Sequence, residues 1–406
     1  MRSGGDSVPR SGVVRDLAPA FLRLGLTAFG GPAAHIAMMD QEFVRRQQWV
    51  TREQFLDMLG ASNLVPGPSS TEMAIHLGHQ RAGWRGLLVA GVCFILPAML
   101  LVMGCAWIYA SFGSLPQVQS VLYGVKPVII AVVLQDLWGL SRTAVKDAFL
   151  ALVGLLATVA ALAGENVLAI LLVAGAVAIG KAGLTENRAQ AQACGAAIVA
   201  LAWRPLHGLR LSALGRIAMP ALAASGAALA ISRTKLFLVF LKFGAVIFGS
   251  GYVLLAFLQA DLVTRLHWLT QAQLLDAVAV GQVTPGPVFT TATFIGYLLG
   301  GVSGAVVATI GIFLPGFAFV ALSRPLIPRI RGSRIASAFL DGVNVGAVAL
   351  MLAVTWQLGR AAVIDVVTCS IAALSAAVLI RWRINSAWLI AAGALAGFVA
   401  AGRFAG

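Results

Sequence analysis

The sequence predicts an all-α, polytopic membrane protein made of two inverted structural repeats, each carrying a Pro-Gly-Pro broken helix pair of the re-entrant kind. Three observations predict it. Of the 406 residues 59% are hydrophobic and 11% are charged, whereas soluble domains carry roughly 25% charged residues. The triplet Pro66-Gly67-Pro68 returns as Pro285-Gly286-Pro287, each time between apolar runs that such a unit cannot continue as helix. The residues around the two breaks also match in register over nearly the whole chain. Paired interruptions at corresponding positions of two halves point to the binding site of a secondary transporter.

Residues 1–16 form a polar segment with Arg2, Asp6, Arg10, Arg15 and Asp16; without an apolar core or small-residue cleavage site, no cleaved signal peptide is expected. The first repeat covers 17–183. Its opening apolar run, 17–39, contains Phe29-Gly30-Gly31-Pro32, which predicts a kink or an unwound point. The stretch 40–52, with Glu42, Arg45, Arg46 and Trp49, suits the membrane surface. Runs 55–65 and 69–78 are each too short to span by the ~20-residue rule, so they read as half-helices on either side of the first break. Runs 87–110, 119–140, 148–163 and 166–180 reach spanning length or nearly so. Residues 184–235, with Arg188, Arg204, Arg210, Arg216, Arg233 and Lys235, form a basic linker, and 236–406 is the second repeat.

The duplication is specific. Phe21-Leu22-Arg23-Leu24-Gly25 matches Phe240-Leu241-Lys242-Phe243-Gly244, Trp49-Val50-Thr51 matches Trp268-Leu269-Thr270, and Asp57 matches Asp276. After the breaks Gly78, Gly83, Gly86 and Leu96-Pro97 fall on Gly296, Gly301, Gly304 and Leu314-Pro315. Low complexity would not align paired tryptophans, aspartates and Pro-Gly-Pro triplets.

The net charge of +14 sits in short clusters between apolar runs, notably Arg142 with Lys146, 181–216, 324–334, and Arg381 with Arg383. That is cytoplasmic loop bias, and it excludes nucleic acid as the partner; the bilayer is the partner instead. Two topologies fit. Re-entrant breaks give five spans per half, about ten in all, and invert the second half; breaks that cross, with a further span in the linker, give about thirteen. Either way the halves are inverted, the architecture from which alternating access follows. Cys93, Cys105, Cys194 and Cys369 are scattered in or near apolar runs, with no metal-ligand spacing. No HExxH motif or nucleotide loop is present, so neither an enzyme nor a cofactor is expected.

Phe29-Gly30-Gly31-Pro32-Ala33-Ala34-His35, Pro66-Gly67-Pro68-Ser69-Ser70-Thr71-Glu72-Met73-Ala74-Ile75-His76, Arg81-Ala82-Gly83-Trp84 and Phe94-Ile95-Leu96-Pro97-Ala98 resemble the chromate ion transporter family in its long, two-domain form. The resemblance covers both halves. It implies export of chromate from the bacterial cytoplasm across the inner membrane, driven by the proton-motive force and giving chromate resistance. The family often carries glutamine three residues before the break, as Gln282 does here; Asn63 replaces it in the first half. Sulfate shares chromate's shape and charge and stays open as a substrate, as do an inward sulfate- or molybdate-type permease and an anion channel. A homodimer is likewise left open.

The expected site lies between the breaks. Helices starting after Pro68 and Pro287 would present the N–H groups of Ser69, Ser70 and Thr71 and of Val288, Phe289 and Thr290. Each helix start carries the equivalent of about half a positive charge, and an inward-pointing Lys126 would raise the sum to about +2, matching a dianion. The hydroxyls of Ser69, Ser70, Thr71 and Thr290 with the amides of Asn63 and Gln282 complete the donors, while Gly67 and Gly286 admit the backbone. Glu72 and His76, spaced i, i+4, share a helix face and are the proton-coupling candidates. The blander readings are breaks that only end re-entrant helices, a Lys126 that snorkels, and a Glu72–His76 pair that is merely structural.

Overall fold

The computed structural model describes residues 10–29, 31–62, 65–113, 115–184, 232–247, 253–323, 333–382 and 386–404. Among them there is helix and turn but no strand. In the first half these are α1 (Arg10–Thr27), α2 (Gly31–Met39) running into a π-helical segment (Asp40–Arg46), α3 (Arg52–Ser62), α4 (Ser69–Phe112), α5 (Pro116–Ala144), α6 (Ala148–Leu162) and α7 (Val167–Leu184). The second half supplies α8 (Arg233–Val246), α9 (Val253–Leu258) with its π-helical continuation (Gln259–Arg265), α10 (Gln271–Val283), a 3-10 turn (Val288–Thr290), α11 (Thr291–Ser323), α12 (Arg334–Ala362), α13 (Val366–Trp382) and α14 (Ser386–Phe404). Helix already covers 10–16, which the sequence reading assigned to a polar lead, and most of the expected linker lies outside the described residues.

Each half opens with a helix whose apolar stripe is set by i, i+4, i+7 spacing: Leu17, Phe21 and Leu24 on α1, and Leu236, Phe240 and Phe243 on α8. α1 packs on α4 and α8 on α11. α4 and α11 are not straight rods. Ala82 and Gly83 leave helical geometry, Gly83 with φ +61°, and Gly78 comes to lie against the backbone of Gly86. Such an approach between residues eight apart requires the chain to double back. Gly300 and Gly301 do the same in α11, where Gly296 meets Gly304. Glycine allows the left-handed turn, and the facing glycines allow the close antiparallel approach. Four stretches, Ser69–Phe112, Pro116–Ala144, Val288–Leu322 and Arg334–Ala362, are long and apolar enough to cross a membrane. Large apolar side chains such as Leu155, Trp138, Ile380 and Trp388 stay exposed on the outside of the bundle, as a lipid-facing surface requires.

The two halves are interleaved. α5 packs against α13 and α14 of the second half, and α12 packs against α6 and α7 of the first. Small residues make both crossings: Gly124 lies on the backbone of Gly393 and Gly397, and Gly342 on Ala174 and Ala178. Tyr123 on α5 hydrogen-bonds Asp365 before α13 (2.6 Å), and Asp341 on α12 pairs with Lys146 before α6 (2.7 Å). A methyl group at Gly124 would overlap backbone, which cannot step aside. Gly124→Ala is therefore expected to cost about 1–3 kcal/mol of stability, read as a lowered thermal midpoint in detergent; an unchanged midpoint would show that this crossing is loose.

Candidate functional site

The two breaks are stitched across the halves. Gly67 donates its N–H to the carbonyl of Ile247 just after α8 (2.7 Å), and Gly286 donates to Ala28 just after α1 (2.8 Å). Each also lies against the other half's long helix, one residue beyond its proline: Gly67 beside Gly316 on α11, Gly286 beside Ala98 on α4. Both glycines have positive φ, +140° and +99°. The chain folds back at the second break, because a Cβ added to Gly281 on α10 would overlap the Thr291 hydroxyl at the start of α11.

The predicted donors fare unequally. Ser69, Ser70 and Thr71 are buried at the start of α4, and the Thr71 hydroxyl has no hydrogen-bond partner among the described residues. The Thr71 N–H, however, donates back to the Pro68 carbonyl (2.8 Å). At the second break the expected α-helical start is a 3-10 turn, in which both the N–H and the hydroxyl of Thr290 are used on the Pro287 carbonyl (3.0 and 2.8 Å). Thr290 is thus a turn residue with its donors spent. Val288 and Phe289 are buried in the same turn. Gln282 is buried, its amide nitrogen without a partner among the described residues, and Asn63 lies outside those residues.

Glu72 is fully enclosed, and neither carboxyl oxygen has a hydrogen-bond partner among the described residues. Its side chain curls back to the break, so that a Cβ placed on Gly67 would overlap Oε1, and a Cβ placed on Gly316 would lie 3.8 Å from the same oxygen. A carboxyl therefore occupies the pocket where an anion was expected. His76, one turn on, has a buried Nε2 that is also unpartnered, and no hydrogen bond joins it to Glu72.

Lys126 is not a free positive charge. Its ammonium pairs with Asp276 on α10 (2.9 Å), and Asp276 also accepts a hydrogen bond from Tyr109 on α4 (2.8 Å). The sum of about +2 counted for the site loses its lysine share in this conformation. Asp276 went unassigned in the sequence because only its match to Asp57 was visible. His35 was missed as well: its Nε2 donates to the Ala28 carbonyl (3.1 Å), the acceptor that holds Gly286. Its place in the Phe29–His35 motif was the available signal.

The halves differ in closure. α10 buries residues 274–279 with Gly281 and Gln282, and packs on α5, α12 and α14. α3 buries Phe55, Ala61 and Ser62, packs on α4, and leaves Asp57 exposed. A cavity of about 880 Å³ opens between α1 and the first π-helical segment, lined by Arg23, Asp40, Glu42, Arg45 and Arg46. In the second half the matching Lys242 and Arg265 close on Asp261 (2.6 and 3.2 Å). A smaller cavity of about 290 Å³ is lined by Lys146, Asp341 and Asn344, the last being the counterpart of Lys126.

The sequence profile described as "Chromate transporter" matches residues 15–181 and again 234–398. The chromate transport protein of Cupriavidus metallidurans is 33% identical over 95% of this chain and 93% of its own length. The chromate transport protein of Pseudomonas aeruginosa is 32% identical over 97% of this chain and 94% of its own. No solved structure matches. With two copies of the profile and full-length relatives at this identity, the chain belongs to the chromate transporter family.

Proposed function

We propose that the protein is a secondary active transporter that exports chromate across the bacterial inner membrane, coupled to protons, and so confers chromate resistance. The observation that carries the reading is the reciprocal pair of hydrogen bonds from Gly67 to Ile247 and from Gly286 to Ala28. Corresponding atoms make corresponding contacts across the halves, the pattern of two repeats related by a two-fold axis. Together with the cytoplasmic loop bias, this supports inverted repeats with re-entrant breaks and about ten spans. The unequal closure of α3 and α10 then supports alternating access, one side open while the other is sealed.

In this reading the dianion binds where Gly67, Ser69, Ser70, Thr71, Gln282 and Gly286 meet the long helices. Desolvating a tetrahedral dianion is very costly unless donors and positive charge replace its water, and the start of α4 supplies both. Glu72 must give up its charge or its place before the anion enters, and His76 stands next on the same face to pass the proton.

The test is uptake of labelled chromate into inverted and right-side-out vesicles, energised and not, with sulfate in competition. Energised accumulation in inverted vesicles, weakly inhibited by sulfate, is expected. Accumulation confined to right-side-out vesicles, with sulfate preferred, would make the protein an inward sulfate-type permease; flux that never exceeds equilibrium would make it a channel.

A further inference from the structure

We propose that Asp276 is a proton-binding site worked by competition for Lys126: an oxyanion that takes the Lys126 ammonium frees the Asp276 carboxylate, which takes up a proton that crosses with the anion. The inference rests on the transport reading above and adds to it a carried proton and the residue that carries it.

The triad is drawn from three helices, Tyr109 on α4, Lys126 on α5 and Asp276 on α10, and its aspartate side chain is 4% exposed. Replacing a buried ion pair by apolar residues is often neutral or stabilising. Inside a membrane protein such a pair calls for a use beyond holding helices together. Three features suit it to exchange. Lysine has three donors, so an anion can be gripped as the aspartate is released. The tyrosine hydroxyl donates to a carboxylate and can accept from a carboxylic acid, so it satisfies Asp276 in either state. And α10 leads directly into the second break, where the buried Gln282 amide nitrogen has no partner among the described residues.

No other charged group makes an ion pair or hydrogen bond with Asp276 among the described residues. Of the elements packed on α10, α4 contributes Tyr109 and α5 contributes Lys126. In the adjoining π-helical segment Asp261 is held by Lys242 and Arg265, and α11, α12 and α14 contribute no ionic partner. Once Lys126 turns to the anion, the carboxylate is left buried and uncompensated. Such a group neutralises by taking a proton. The proton comes from water on the side to which the site is open and sits on a carboxyl oxygen of Asp276. When the anion leaves on the far side, Lys126 returns and the proton is released there. The symmetry-related positions cannot repeat the cycle, because Asn344 and the exposed Asp57 stand there in place of Lys126 and Asp276.

The sign is definite: proton and anion bind together and move in the same direction. A dianion with one proton carries one negative charge, which an inside-negative potential drives outward, whereas a proton gradient that is acid outside pulls the same pair inward; export in this cycle is therefore driven by the potential. Glu72 governs access of the anion, a rate, whereas Asp276 sets how far a proton gradient can concentrate the anion, a ratio.

Proteoliposomes of the full chain, clamped at zero potential, separate these quantities. With labelled chromate and a tenfold proton gradient, the limiting chromate ratio, alkaline side over acid side, should be tenfold lower in Asp276→Asn than in the unaltered protein. Chromate–chromate exchange should persist in Asp276→Asn, which shows that the variant is folded and binds. Should it fail to assemble, the unaltered protein carries the test: one proton should enter per chromate, read with a pH dye inside lightly buffered liposomes, and chromate flux with no accompanying proton would overturn the proposal. An unchanged ratio in Asp276→Asn, or a shift toward the alkaline side, likewise overturns it and leaves the triad a strut. No chromate exchange in the unaltered protein would instead overturn the transport reading itself.

Discussion

Replacing Gly67 by valine is expected to lower chromate flux about a hundredfold while leaving the protein in the membrane. Two independent obstacles act at this residue. Its φ of +140° is a conformation that side chains with a Cβ rarely adopt, and the new Cβ would fall on the Glu72 carboxyl, which is itself fully buried. Relief requires the break to move, which would strain the Gly67–Ile247 hydrogen bond and shift the start of α4. A displacement of about 1 Å in a positioned site can cost about a hundredfold in rate. Gly286→Val meets the corresponding pair of obstacles, a φ of +99° and the Ala98 methyl 2.5 Å from the added Cβ, and is expected to behave alike. The measurement is initial flux in proteoliposomes, normalised to inserted protein. Full flux in both variants would place the ion pathway away from the breaks.

Much of this architecture was legible because it is written in local signals. The breaks are prolines and glycines, and the spanning runs fell within a few residues of α5, α6 and α7. The reversals at Ala82-Gly83 and Gly300-Gly301 were not read, although both glycines were noted in the repeat. The apolar pattern continues through them, and only facing glycines at 78 and 86, or 296 and 304, reveal the turn. The crosswise packing of α5 on α14 and of α12 on α7 was equally silent, since nothing in the spacing of Gly124 names Gly393 as its neighbour. In the site, sequence placed Lys126 and Glu72 at membrane depth but not what they touch. Partners such as Asp276 and Tyr109, far apart in the chain, are set by helix packing alone. The same holds for Thr290: that its hydroxyl turns back onto Pro287 depends on the 3-10 geometry of that turn, which its residues permit without requiring.

Glu72→Gln is expected to keep chromate binding and chromate–chromate exchange while weakening the dependence of the initial rate on pH on the side from which the anion arrives. The reasoning starts from placement. Glu72 sits one turn into α4, where an N-terminal dipole favours negative charge, yet its carboxyl lies in the break itself with no hydrogen-bond partner for either oxygen among the described residues. A carboxylate and a dianion cannot share one enclosed pocket: at about 4 Å their repulsion is of order several kcal/mol even at a well-screened effective dielectric of about 20. Binding of chromate therefore requires that Glu72 be neutral or swing aside, and protonation achieves the first directly. Acid on the receiving side should then speed flux in the unaltered protein. Glutamine is nearly isosteric and permanently neutral, so the acid step at this position disappears and only the proton uptake at Asp276 remains. His76→Gln, which removes only the neighbouring proton acceptor, should slow the rate without abolishing its pH dependence. The limiting ratio of chromate across the membrane should be untouched in both variants, because a proton that binds and leaves Glu72 on one side does no net work. A pH–rate profile in Glu72→Gln that superposes on that of the unaltered protein would remove this carboxyl from the mechanism and leave it a buried neighbour of Gly67.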